Sequence, residues 1–453
     1  AWFTHRMTKP PHVMSRASCS VKQSGMLPMR RVSFGFHLPR RAGLFIHGGV
    51  NSQTSMAWAS TSATGANLSE LVERAAKQVH DALDGNEPDL LLAFVTPHFA
   101  AMHDRLPAML RRSFGAARIA GCSAGGVIGG GEEIENRPAL SLTAARLPGV
   151  ALGLRYTDTT ALPDEDAPPE VWRNWLGLHD HSPAGCVVLA DPFTARVEPF
   201  LTGLDYAFPG LVTLGGLASG GMRAGENALF VDDDCHHGGL LALTLSGAVQ
   251  VDAIVAQGCR PIGRPLVVTR CEDHRLQRVD GESPLAYLNQ VFQEASESDR
   301  QLMRTSLFLG LAVEGVDGHP DAEEATYLIR NLIGADYSSG TAMVGAHLRE
   351  GQVVRFFLRD RQTSQEDLTL QMDQYTARGL PPPNAGALLF SCLGRGQYLY
   401  GVPNYDSACL LGKLGERALG GFFCNGEIGP VGGSTYIHGY TSAFGIIRPR
   451  VMA

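Results

Sequence analysis

Residues 119–149 read IAGCSAGGVIGGGEEIENRPALSLTAARLPG, and the order of features in and around this stretch decides the fold. A short apolar strand at Ala117–Ala120 runs into a glycine-rich loop at 121–135, and LSLTAARL (140–147) then alternates as a second strand. Working upstream, LLLAFV (90–95) is a continuous apolar run and therefore a buried strand, followed by an amphipathic helix near 100–113. Before it, ANLSELVERAAKQVHDALDG (66–85) is a helix: Asn67 and Glu70 form a capping box. Leu68, Leu71, Val72, Ala75, Val79, Ala82 and Leu83 share one face, and Gly85 ends it.

The same order returns twice. CVVLADPF starts at Cys186, TLGGLASGG carries Gly215–Gly221, and LLALTLSG closes at 240–247. ALLFSC (387–392), GGFFCNGEIGPVGG (420–433) and TSAFGII (441–447) repeat it once more. Such recurrence marks an internal duplication. Between the copies, Asp280-Gly281 reads as a turn flanked by short strands, and Ser283-Pro284 opens a helix. TAMVGAHLREGQVVRFFLRD (341–360) reads as a hairpin turning at Glu350-Gly351. Hairpins beside buried strands favour mixed sheets over a doubly wound parallel one. The predicted class is therefore α/β (α+β): two related domains, 66–258 and 259–453, with mixed, largely antiparallel sheets covered by helices.

Composition narrows the function. The chain of 453 residues carries 38 Lys+Arg against 45 Asp+Glu, a net charge of −7. The first acid is Glu70, and eight basic residues precede it, so the remainder holds 30 bases against 45 acids and a charge of −15. An acidic body argues against a nucleic-acid partner. No apolar run is long enough for membrane insertion as a helix. The acid-free Ser/Thr/Arg-rich segment 1–65 reads as a disordered basic leader and a transit peptide, to a chloroplast before a mitochondrion, with a cytoplasmic protein as the alternative. The cysteines form no C-x-x-C pair and read as reduced thiols.

Glycine makes up 53 residues, about 12% against a usual ~7%. Glycine-rich turns serve tight strand crossings, and they also expose backbone N–H groups to anions. On the second view Gly121, Cys122, Ser123, Gly125 and Gly126 line a ligand site with Asn425, Glu427 and Gly429 of the last copy. Neither a Walker A loop nor G-x-G-x-x-G is present, so no nucleotide cofactor is expected. Arg395, ending a buried strand beside Cys392, could clamp a carboxylate while Glu427 takes an ammonium, which suits an amino-acid-like ligand; a direct Arg395–Glu427 pair is the structural alternative. Cys122 at the start of a loop of N–H groups, or Cys392 with His438, would serve a thiol-dependent enzyme. DDDCHH (232–237) has metal-ligand chemistry but sits on a predicted hairpin tip, where such residues are usually solvated; no metal is expected.

Four stretches resemble one family: the opening IAGCSAGGVIGGGEEIENRPALSLTAARLPG, then GCRPIGRPLVVTRCEDHRLQRVDGESPLAYL, LLFSCLGRGQYLYGVPNYD and GGFFCNGEIGPVGGSTYIHGYTSAFGII. They resemble the FIST (F-box and intracellular signal transduction) family, an N-domain followed by a C-domain over residues 88–450. The resemblance implies an intracellular sensory module for small ligands such as amino acids, acting with a signalling partner protein that it does not identify. It transfers no catalytic residues. In eukaryotes the family also implies ubiquitin-ligase adaptors with an F-box, a pattern not visible ahead of residue 66. The expectation is a stand-alone small-ligand sensor.

Overall fold

The computed structural model describes residues 55–178, 183–313 and 325–450. The first 54 residues, and with them most of the predicted leader and its disorder, lie outside that range. The first copy runs β1 (Ala57–Thr64), α1 (Leu68–Ala82), β2 (Leu90–Val95), α2 (Leu106–Phe114) and β3 (Arg118–Ser123), then a hairpin of β4 (Gly126–Gly129) and β5 (Glu132–Glu135), then β6 (Ala139–Arg146). The second repeats it with β7 (Val150–Thr157), α3 (Pro169–Leu176), β8 (Gly185–Ala190), α4 (Val197–Ala207), β9 (Val212–Leu217), the hairpin β10 (Leu229–Val231) and β11 (Asp234–His236), and β12 (Leu240–Gly247).

The third opens with β13 (Val249–Ala256) and is then interrupted. The insertion holds β14 (Arg260–Glu272), β15 (Arg275–Val279), α5 (Pro284–Glu294), α6 (Glu297–Thr305), β16 (Leu307–Ala312), β17 (Tyr327–Asp336), β18 (Thr341–Val344) and β19 (Val353–Leu358). The copy resumes with α7 (Arg361–Thr376), β20 (Gly386–Cys392), α8 (Gly396–Tyr400), α9 (Tyr405–Leu414), β21 (Leu419–Cys424), the hairpin β22 (Glu427–Val431) and β23 (Ser434–His438), and β24 (Ser442–Pro449).

Each copy builds four strands of its own mixed sheet and lends its hairpin to another. The spatial orders are β1-β6-β2-β3-β10-β11, β7-β12-β8-β9-β22-β23 and β13-β24-β20-β21-β4-β5. The exchange is cyclic, because the second hairpin completes the first sheet, the third the second, and the first the third. One apolar core takes side chains from all three, among them Phe94, Leu189, Leu243, Phe390 and Phe422. The insertion is a closed barrel, β14-β15-β18-β17-β16-β19, filled by Leu266, Val268, Leu309, Val354 and Phe356.

The α/β class, the mixed sheets and the duplication stand. Residues 54–453 are one compact unit of three copies and a barrel. The boundary at 258 cuts the third copy, since β13 pairs with β24 along its full length. The fold also starts before residue 66: AWASTSAT alternates too weakly in hydrophobicity to announce a strand, yet β1 pairs with β6 from Ala57 to Thr64. The hairpin expected at 341–360 is absent as such, because β18 pairs with β15 and β17 whereas β19 pairs with β14 and β16.

Three glycines explain part of the excess. Gly121, Gly215 and Gly421 stand opposite Ala93, Val188 and Leu389 in the parallel pair of each copy. A Cβ there would lie 1.9, 1.8 and 1.8 Å from the facing carbonyl oxygen. That is backbone against backbone, which no rotamer relieves. Gly421→Ala should therefore cost about 3 kcal/mol or more in urea unfolding. Gly412→Ala, on α9 with open space around it, should be neutral or stabilising by ~0.5–1 kcal/mol. Equal effects would refute the close-approach argument.

Candidate functional site

The predicted ligand residues come close together, but as structure. β4 pairs with β21, so the first and third glycine loops meet through Gly126 and Phe423 as neighbouring strands rather than as walls of a pocket. The Gly125 N–H donates to Ser219 Oγ at 2.8 Å, and Ser219 in turn donates to the Phe423 carbonyl at 2.5 Å. Ser123 is buried and its Oγ accepts the Ala228 N–H at 3.1 Å. Gly121 is pressed against Ala93 as described above, and the Gly429 carbonyl accepts from His438 Nε2 at 3.0 Å. The N–H groups that could have cradled an anion are already spent on joining the copies.

The thiols behave likewise. Cys122 is fully buried in the central core, and burial raises its pKa well above the ordinary value. The expected lowering by loop N–H groups does not occur, because the side chain enters the core instead. Cys392 Sγ accepts the Gly394 N–H at 3.4 Å, and burial together with Glu427 pushes it up to about 12. Neither is an activated nucleophile, and His438 is held by Gly429 rather than by a thiol.

Arg395 is fully buried and already paired, with Asp406. Its Nε and one terminal nitrogen reach the two Asp406 oxygens at 3.0 and 3.1 Å, and it also donates to Tyr400 Oη and, at 3.2 Å, to the Tyr440 carbonyl. Burial opposes the ionisation of Asp406, but Arg395 and the Ser442 and Tyr400 hydroxyls overcome it and hold the carboxyl below its ordinary value. Neither the predicted carboxylate clamp nor the direct Arg395–Glu427 pair is present. Asp406 could not be singled out from its neighbourhood in sequence, since it looks like a first-turn helix acid of α9. Glu427 is buried with no ion pair among the described residues, accepting the Thr441 N–H at 2.9 Å, and burial pushes its pKa up to about 8.

Of the predicted residues, Asn425 lines a cleft. It is exposed at the turn entering β22, and its side-chain amide has no hydrogen-bond partner among the described residues. The cleft measures about 200 Å³ and lies between the barrel and the core, bounded by Glu198, Phe308, Arg330, Asn425, His438 and Tyr440 among others. Arg330, from β17, donates to the Ile329 and Ile437 carbonyls at 3.2 and 2.9 Å and forms no ion pair among the described residues. Burial pulls its pKa down, against Glu198 and Tyr436. Tyr440 sits at φ +64°, a left-handed conformation costly for an aromatic residue. It is held there by an edge contact with Phe308 (4.8 Å between centroids) and by the Arg359 guanidinium 4.8 Å from its ring centre. Two larger grooves, of about 570 and 630 Å³, flank Tyr375 and Arg378. In the first of these Asp252 is already tied to Arg448 and Tyr375. Arg330 offered little to a sequence reader, because it stands in an otherwise ordinary alternating strand.

Fold and cleft together define a class: a three-copy α/β protein with an inserted barrel and a polar cleft of small-ligand size between them. The chain belongs to the FIST family, with the FIST N domain matching residues 89–282 and the FIST C domain residues 284–430. These are sensory domains of signal transduction. Its relatives include "Uncharacterized protein Rv0628c" of Mycobacterium tuberculosis, 32% identical over 84% of this chain and 97% of its own. "Uncharacterized protein Mb0898c" of Mycobacterium bovis is 33% identical over 82% and 94%. An "F-box/LRR-repeat protein At5g63520" of Arabidopsis thaliana is 22% identical over 57% and 54%. Among solved structures, a cyanuric acid hydrolase covers 87% of this chain and 99% of its own at 9% identity and a TM-score of 0.30, too distant to carry an argument.

The mycobacterial relatives overturn the chloroplast assignment. Bacteria have no organelle to import into, and the body shared with these relatives extends over nearly their whole length. Acid depletion in a leader is a compositional property that import shares with other basic segments, so it could not decide the address.

Two expectations test the buried charges. Arg395→Met leaves Asp406 buried and uncompensated, so it should cost about 3–5 kcal/mol of unfolding free energy, with Tyr400→Phe far milder. Glu427 has a folded-state pKa raised from 4.5 to about 8. Its neutral form therefore favours the fold below pH ~4.5, and that advantage is lost as pH rises through about 8. Glu427→Gln should flatten the fall in melting temperature between pH 6 and 8.5; parallel curves for the two proteins would refute the neutral carboxyl.

Proposed function

We propose that the chain is a small-ligand sensor whose ligand is amino-acid-like and occupies the cleft between barrel and core. The observation that carries this reading is Arg330, a half-buried cation with only carbonyl partners, facing a cavity it shares with Glu198 and Asn425. The guanidinium suits a carboxylate, the Glu198 carboxylate suits an ammonium, and the Asn425 amide offers both donors and an acceptor. Its volume is below the ~300–1,000 Å³ of drug-sized sites, in keeping with a ligand the size of an amino acid. The zwitterion logic drawn from the sequence is kept, but moved from Arg395 and Glu427 to residues that have charge to spare.

A sensor must bind its ligand differently in two states. A ligand held by Arg330 from the barrel and by Asn425 from the core would tie the two together, and Tyr440 is the strained residue between them. This supplies an element for a signalling partner to read.

The test is a thermal-shift screen of the full chain against amino acids and small carboxylates. At a hundredfold excess over Kd a true ligand adds about 2.7 kcal/mol, a rise of a few degrees. Arg330→Ala and Glu198→Gln should abolish the shift, while Arg378→Ala, in the other grooves, should preserve it. A blank screen, or hits indifferent to Arg330→Ala, would overturn the assignment.

A further inference from the structure

The hairpin β10–β11 carries DDDCHH, and the fold separates its charged and metal-ligating side chains. Asp232 at the tip takes Arg118 at 2.9 Å and the Ile119 N–H at 3.0 Å, while Asp233 takes Arg111 at 2.7 Å. His236 points to the opposite side and stacks on Tyr156. Cys235 and His237, two residues apart in extended chain, share the remaining face. There they meet Asp104, which arrives from the short 3-10 helix Pro97–Arg105 of the first copy.

The donor atoms converge. Asp104 Oδ1 lies 2.8 Å from His237 Nε2, and Cys235 Sγ lies 4.0 Å from the same nitrogen. Around a tetrahedral ion with ligand bonds of ~2.0–2.3 Å, donor atoms sit about 3.3–3.6 Å apart. Small rotations of these partly exposed side chains satisfy that spacing. The other nitrogen of His237, Nδ1, is 3.1 Å from the Asn227 carbonyl, an acceptor that requires Nδ1 to carry the proton. In the neutral ring this leaves the Nε2 lone pair facing the carboxylate and the thiol, an arrangement that a bound cation shared by the three donors would make favourable. A ligating histidine whose second nitrogen donates to a backbone carbonyl is the usual outer support of a metal site.

We propose that Asp104, Cys235 and His237 bind a divalent transition ion of the zinc class, with solvent completing its coordination. Carboxylate, thiolate and imidazole together suit zinc or cobalt rather than calcium or magnesium. On binding, the Cys235 thiol gives its proton to solvent, and no redox change is involved. The ion clips the second copy's hairpin to the first copy's sheet, at the outer end of one of the three exchanged elements.

The test is titration of metal-stripped full-length chain with Co²⁺, followed by competition with Zn²⁺. One equivalent should produce a thiolate-to-cobalt charge-transfer band in the near ultraviolet that zinc abolishes. Cys235→Ser should remove the band, and Asp104→Asn and His237→Gln should each weaken affinity tenfold or more. His347→Gln is the control, because His347 belongs to a second exposed group with Asp273 and His274; it should change nothing. No band in the wild type, a band that survives Cys235→Ser, or affinity lost in His347→Gln would each overturn the proposal.

Discussion

Each of the three mixed sheets would end on the open edge of its copy's third strand, β3, β9 or β21, and each of these edges is closed by a hairpin from another copy. An unpaired edge exposes a row of N–H and C=O groups that must find partners. Because the exchange is cyclic, no copy completes its own sheet, and the three fold as one unit. This explains why the glycine loops look like ligand cradles yet serve as joints between copies. They are the crossings at which a strand leaves its own copy, and their hydrogen bonds run between copies, as from Gly125 to Ser219 and from Ser219 to Phe423.

The same constraint separates what the sequence disclosed from what it hid. The recurrence of strand, helix, strand and glycine loop was legible because each copy repeats the local chemistry, down to glycines at 121, 215 and 421. The exchange was not legible, since a hairpin's partner leaves no local trace. Nor was the barrel: its strands are turn-bounded and read as connections, and β13, which lies at the end of the expected first domain, opens the third copy. Weak alternation in AWASTSAT concealed β1, whose small side chains fit beneath α1 rather than filling a core by themselves.

For the site, residue chemistry was a fair guide to type and a poor guide to availability. Arg395 reads as a carboxylate clamp and Glu427 as its ammonium-binding counterpart, and both are buried. Burial makes a charge informative only when its partners are counted. Arg395 has a bidentate carboxylate, a phenol and a carbonyl, and Glu427 stays neutral by virtue of its burial. Arg330 carries no distinguishing signal in sequence and matters because it forms no ion pair among the described residues. Its deficit exists only because the barrel brings β17 against β23, a contact between segments a hundred residues apart.

The three exchanged hairpins share one geometry but have diverged in chemistry. In β4–β5, Glu133 accepts the Ser407 N–H at 2.7 Å and Glu135 the Gln397 N–H at 2.8 Å, so its carboxylates cap the starts of α9 and α8. Carboxylates at helix N-termini are stabilising there, which makes this hairpin a structural clamp. In β10–β11 the tip acids are taken by arginines and the outer face keeps Cys235 and His237. In β22–β23 the entry and exit, Asn425 and His438 to Tyr440, border the cleft. A hairpin that must reach into a neighbouring sheet is fixed by backbone pairing along its strands, so its side chains at the tip and flanks are free to vary without loss of fold. Duplication followed by exchange thus supplies three equivalent, rigidly anchored places for chemistry, and only the inserted barrel distinguishes the third by walling it into a cleft.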